Sequence, residues 1–317
     1  MKKYLLFAAT LTLAACSNDE ILNDGPVELR LNSAVEVKTR ASNVQNTQIA
    51  SGETVYAWVD ESDGTPYINA WQLTADGNGG FTGGTTQYFP QSGNAVNIYA
   101  IHGNFGTTTF TAFPETPLTH TVSTTQTSDA EVAKSDLLYA VCDEDVYPTQ
   151  KPVTSVNMTF YHMLSKIDVG LKPGDGLTVT DLQNATVSIV NTVTSATFTP
   201  QKTDLTEEAT HAAMVSVNEA TATPITMSTA VSTDFTARAE AIIVPQTLTS
   251  NTRFIQVRLN DGANLYYALP QQVEFKSGMK YTYDITVHNT GIEVMSNIRG
   301  WGTDNSYSGD DAGQATT

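Results

Sequence analysis

Charge is scarce in this chain, and basic charge scarcest: of 317 residues, 16 are Lys or Arg against 33 Asp or Glu, giving a net charge of −17. No basic stripe is present to neutralise phosphates, which excludes nucleic acid as a partner. The surplus of carboxylates instead suits a soluble surface kept away from anionic membranes. Cysteine is nearly missing, with only Cys16 and Cys142. That excludes a cysteine-built zinc site, and an intramolecular disulfide as well once Cys16 is modified. The histidines (His102, His120, His162, His211 and His288) are widely scattered, with no pair at metal-ligand spacing. A Gly-x-Ser-x-Gly elbow, a phosphate loop, a dinucleotide fingerprint and paired carboxylates are all lacking. The expectation is therefore no enzyme, no cofactor and no metal site. Heptads, long amphipathic helices and repeats of fixed period are lacking too.

The one long apolar run, Leu5 to Ala15, is too short to span a bilayer as a helix. It follows Lys2 and Lys3 and ends Ala14-Ala15-Cys16, so residues 1–15 read as a signal peptide whose end resembles a bacterial lipobox, with Cys16 as the lipid-modified first residue. Ser17, Asn18, Asp19 and Glu20 resemble the acidic export tag of surface-exposed lipoproteins. Beyond them, Val27, Leu29, Leu31, Val35 and Val37 alternate with Glu28, Arg30, Asn32, Glu36 and Lys38. A period of two is the mark of a half-buried strand. This strand lies between the cysteine and Arg40. Residues 1–40 hold five basic and five acidic side chains, so their removal leaves the net charge at −17.

What the chain has in abundance is threonine, serine, glycine and asparagine around short β-branched runs, a mixture that favours strands and turns over helices. Strands are expected at Thr54–Val59, Val96–Ala100, Asn157–Leu171, Gly176–Val190, Thr192–Thr199 and Ala237–Val244. A hairpin is expected around Asn260-Asp261-Gly262. The tract DGNGGFTGG around Phe81 reads as a turn region, the stretch 107–127 as an irregular loop or edge strand, and 203–233 as a long exposed excursion. Pro148 and Pro152 bracket a polar connection, which divides the body into domains at 41–150 and 151–317.

His162 is a candidate base beside Cys142 or Asp168, but a ring satisfied by local backbone is the simpler account, and Cys142 reads as a buried, inert thiol. Asp143, Glu144 and Asp145 lack calcium-loop spacing and read as a solvated turn. Trp58, Trp71 and Trp301 are candidate sugar-stacking surfaces, or else core. Near the end, Ile292, Val294 and Ile298 share one parity, opposed by Glu293, Met295, Asn297 and Arg299, and repeat the binary pattern of the first strand.

The segments SDLLYA (135–140), MTFYHMLSKIDVGL (158–171), IIVPQTL (242–248) and KSGMKYTYDITVHNTGIEVMSNIRGW (276–301), with the lipobox and TRAS (39–42), resemble the fimbrillin family in order and spacing. Fimbrillins are subunits of type V pili of Bacteroides-like bacteria. The resemblance implies an all-β protein of two tandem β-sandwich domains, transthyretin-like and Greek-key. It implies an outer-membrane lipoprotein precursor, with Cys16 lipidated, that becomes part of a cell-surface fimbria. An arginine-specific protease would cut between Arg40 and Ala41, removing a lipidated propeptide (16–40) with its strand Val27, Leu29, Leu31, Val35 and Val37. Other fimbrillin subunits would be the partners, in a head-to-tail homopolymer or mixed fibre. The segment 292–301, with Ile292, Val294, Ile298 and Trp301, would be the donor that refills the groove, in support of adhesion or biofilm formation on a host or bacterial surface ligand. The alternatives are a tip or accessory adhesin, or a glycan-binding lipoprotein that keeps its anchor.

Overall fold

Short β-branched runs between glycine and asparagine turns give strands with few helices. The structure, a computed structural model describing residues 25–36, 47–146, 155–218, 221–301 and 312–314, is all-β with three short helices among those residues. A seven-stranded sheet runs in the order Leu31–Val35, Val156–His162, Leu138–Val146, Val96–His102, Thr54–Glu61, Pro66–Ala75 and Phe81–Thr82. Its pairings are antiparallel except the first, in which Leu31–Val35 lies parallel to Val156–Phe160. Its two ends meet, because Asn32 bridges to Gly80, immediately before Phe81–Thr82. The sheet thus closes on itself through Leu31–Val35.

Both faces of this sheet are apolar, for a reason visible in its alternation. Val55, Ala57, Val59, Ile98, Ala100, Leu138, Ala140, Met158 and Phe160 join Leu29, Leu31 and Val35 in one buried cluster. Their neighbours of opposite parity, Trp58, Tyr99, Ile101 and Tyr139, belong to a second and larger cluster. That larger core is shared with two five-stranded sheets. One orders Arg238–Ile243, Ser165–Pro173, Met279–His288, Gly291–Gly300 and Ala312–Gln314. The other orders Asn264–Ala268, Arg253–Arg258, Thr186–Ile189, Ile225–Met227 and Thr125–Gln126.

The expected hairpin is present, Arg253–Arg258 pairing antiparallel with Asn264–Ala268. Other segments differ from their sequence reading. Val156–His162, which lies past the Pro148–Pro152 connection, hydrogen-bonds inside the first sheet, with Leu138 opposite His162 and Tyr139 opposite Tyr161. Periodicity identifies a strand but does not choose its partner. Asp143, Glu144 and Asp145 continue the strand Leu138–Val146 rather than forming a turn. The excursion 203–233 contains a helix, Glu208–Met214, and the strands Val215–Val217 and Ile225–Met227, with His211, Met214, Ile225 and Met227 buried. Within 176–190 the backbone first turns as a short helix, Val179–Leu182, and becomes a strand only at Thr186–Ile189. The helix Asp129–Ser135 is capped by Ser128, whose side chain accepts from Glu131 N–H while the Glu131 carboxylate accepts from Ser128 N–H.

Candidate assembly site

The N-terminal strand is inserted between two walls rather than laid on an open edge. On one side it forms the parallel ladder from Leu31 opposite Val156 to Val35 opposite Phe160. That ladder is extended by Val156 N–H donating to the Arg30 carbonyl and Glu36 N–H to the Phe160 carbonyl, each at 2.7 Å. Asn32 Nδ2 adds a bond to Ser155 Oγ at 2.7 Å. On the other side Ser33 N–H donates to the Gly79 carbonyl at 2.7 Å and Val35 N–H to the Thr47 carbonyl at 3.1 Å. Just upstream, Glu28 and Leu29 pair antiparallel with Tyr88 and Gln87, and Phe89 N–H donates to the Val27 carbonyl at 2.8 Å.

Side chains follow the expected alternation. Leu29, Leu31 and Val35 are 1%, 5% and 2% exposed, and Val27 is half-buried against the same cluster. Ser33 is also inward and buried, a polar position in an apolar row. Outward, Arg30 donates to Glu28 at 2.5 Å; this hydrogen bond lowers the carboxylate pKa, and the pair stays in solvent. Val37, Arg40, Ala41 and Cys16 lie outside the described residues, so the structure does not place them. Of five expected inward residues, three are fully buried and one half-buried.

The far wall is built from DGNGG, which in sequence reads as a plain turn. Asp76 Oδ1 accepts from Asn78 N–H at 2.6 Å and Gly80 N–H at 2.9 Å, folding the tract back on itself. Gly79 has φ +88°, and a Cβ there would stand 2.9 Å from the Ser33 carbonyl oxygen. Only glycine allows that close approach in that conformation. Three glycines in a short polar tract, Gly77, Gly79 and Gly80, are the available signal.

The C-terminal candidate sits in its own sheet. Gly291–Gly300 pairs with Met279–His288 over ten residue pairs in one register. Ile292 and Val294 are buried, as is Trp301, but Ile298 is 55% exposed. The shared parity of 292, 294 and 298 therefore does not become shared burial: the alternation stops after Met295, although Tyr281 opposite Ile298 and Trp301 beyond it are both buried. Trp301 N–H donates to the Gly278 carbonyl at 2.7 Å. Its ring stacks on His162 with centroids 3.6 Å apart and planes 6° apart.

His162 is not satisfied by local backbone. Its Nδ1 donates to Asp136 Oδ2 at 2.9 Å, with both side chains buried. Neither Cys142 nor Asp168 is its partner: Cys142 is half-buried rather than buried, and Asp168 accepts from Arg238 Nε at 2.6 Å. Buried Lys166 approaches Glu240 at 2.7 Å and lies 5.4 Å from the Trp301 ring. These groups tie the end of Gly291–Gly300 to the end of Val156–His162; nothing in the arrangement presents a nucleophile and base to an open site. Trp58, Trp71 and Trp301 are all buried, so none offers a face for a sugar. A cavity of about 490 Å³ between the Glu208–Met214 helix and residues 274–277 has no tryptophan in its wall. No group of three or more metal-ligating side chains occurs among the described residues.

Comparisons with known proteins bear on the same span. Residues 39–301 match the family described as Fimbrillin-like. A relative from Bacteroides uniformis, named "Putative fimbrium subunit Fim1C", is 28% identical over 95% of this chain and 96% of its own length. The fold is similar to the crystal structure of a "putative cell adhesion protein" from Bacteroides uniformis, with a TM-score of 0.63 and 25% identity over 88% of this chain and 99% of that one. A counterpart from Bacteroides ovatus gives a TM-score of 0.60 at 19% identity, covering 89% of this chain and 99% of that one. With most of its length matched, and with the quoted motifs lying in that span, the chain belongs to the fimbrillin-like family.

Proposed function

We propose that this chain is a fimbrial subunit of the bacterial cell surface. In this reading it is exported as an outer-membrane lipoprotein through Cys16, cut between Arg40 and Ala41 by an arginine-specific protease, and polymerised by strand exchange. The observation that carries the reading is the seating of residues 27–35, buried on their inner face and hydrogen-bonded at both edges. Three fully buried side chains represent about 5 to 9 kcal/mol of gross apolar burial. A channel emptied of them exposes an apolar floor and two unpaired backbone rows, which another subunit's strand can fill. Such contacts run head to tail and build an open filament when the rotation does not close.

Segment 292–301 of a neighbouring copy is the proposed donor. Lifting it from its own sheet costs the burial of Ile292, Val294 and Trp301, comparable on side-chain area to what insertion returns. The donor also leaves a ladder of ten residue pairs with Met279–His288, of which the channel returns part, and irreversible hydrolysis of the Arg40–Ala41 bond sets the direction of exchange. We take the body to be two tandem β-sandwich domains of transthyretin-like, Greek-key type. The pairing of Val156–His162 favours a division after His162 rather than between 150 and 151. A tip or accessory role stays as the second reading, since the polar tail 302–317 has no alternating apolar row to offer a groove. The test is Arg40→Ala in the native host: the account expects a lipidated monomer and no incorporation into fibres, and normal incorporation refutes it.

A further inference from the structure

If residues 27–35 are the removable strand, cutting and removal need not be one event. We propose that they are two: cleavage after Arg40 leaves the strand seated, and it departs only when an incoming strand displaces it. This rests on the processing reading above and adds its regulation.

The geometry points there in three ways. First, the strand has no free edge from which to peel. The Val156–Phe160 ladder holds one side, and Gly79, Gly80 and Thr47 hold the other. A strand at an open edge unzips along one row of bonds; this one must break two rows together. Second, the cut falls within the segment 37–46, and both flanks of that segment are fixed. Glu36 N–H donates to Phe160, and Thr47, on the far side, accepts from Val35 N–H. None of these bonds depends on an intact Arg40–Ala41 linkage. Third, Leu29, Leu31 and Val35 complete a cluster with Val55, Ile98, Met158 and Phe160, so spontaneous departure hydrates a core, whereas displacement by a second copy's alternating strand never does.

Cys16 and the strand lie on the same side of the cut, in one covalent piece. A seated strand therefore keeps the cut subunit tethered through its lipid. Displacement, not proteolysis, sets the subunit free, so that only an assembling subunit leaves the surface.

The experiment uses the chain from Cys16 onward with a sequence-specific protease site in place of residues 38–44. The protein is cut, desalted under native conditions and weighed by native mass spectrometry. The expected result is a one-to-one complex of body and excised peptide. A fluorescent synthetic peptide of residues 25–37 then replaces the excised one slowly. In Gly79→Ala, which strains the far wall without altering the peptide, replacement is roughly tenfold faster, as expected of one strained backbone position. Loss of the peptide during desalting while the body stays folded overturns the proposal, as does exchange that Gly79→Ala leaves unchanged. The unmodified chain is treated in parallel with an arginine-specific protease. Failure to cut after Arg40 there refutes the processing site alone, since retention is measured on the engineered one.

Discussion

Leu31 illustrates what a single side chain contributes here. Inward and 5% exposed, it lies in the cluster that closes the first sheet. Leu31→Ala is expected to destabilise the uncut protein by about 2 to 5 kcal/mol, the range for a buried leucine, as read from denaturant midpoints; a change below that range indicates that the strand is not integral to the precursor core. His120 makes a different prediction. It is wholly buried, its Nε2 donating to the Ser135 carbonyl at 2.9 Å and its Nδ1 accepting the Asn104 N–H at 3.1 Å. The neutral ring is satisfied at both nitrogens, and burial pushes its pKa down from 6.5 to about 4. The folded value lies below the unfolded one, so the stability that His120 confers is present above about 6.5 and is lost as pH falls towards about 4. His120→Gln is expected to flatten that decline in stability measured across the window; a decline parallel to the parent's contradicts the assignment. At this scale the sequence showed Leu29, Leu31 and Val35 through their parity. It did not show that Asp136 pairs with His162, because residues 26 apart meet only through the sheet.

Among elements, the strand Gly291–Gly300 decides what a mutational test can mean. Ile292 and Val294 are core residues of its own sheet, so a charge at either unfolds the protein and says nothing about exchange. Ile298, more than half exposed, separates the two effects. Ile298→Asp is expected to leave stability within about 0.5 kcal/mol of the parent, as for surface substitutions, yet to abolish polymerisation in a fibre assay. Unimpaired fibres from a folded Ile298→Asp protein remove this strand as the donor. Alternation revealed the strand but not that its inward row breaks off after Val294, while Trp301 at its end returns to the core. The helix Asp129–Ser135 was visible in principle through Ser128 and Glu131, three residues apart, and was hidden by the threonine-rich tract before it. DGNGG reads as a turn from its glycines alone, while its part as a wall comes from the tertiary approach of Gly79 to Ser33.

Across the whole molecule, a closed sheet completed by its own N-terminal segment joins fold to function. Composition sufficed for the all-β class, because strands need only local alternation and turn residues. Strand partners did not follow as readily, since Val156–His162 pairs with Leu31–Val35 and Leu138–Val146, on the other side of Pro148 and Pro152 in the chain. That pairing places one wall of the channel more than a hundred residues from the strand it holds, out of reach of any local pattern. The central claim, that the segment ahead of Ala41 is seated in the precursor and exchanged in the fibre, is tested most directly by mass spectrometry of the N-terminus of this chain in fibres sheared from cells. The account predicts chains beginning at Ala41, with residues 16–40 missing. Assembled chains that still carry a lipidated Cys16 would contradict it.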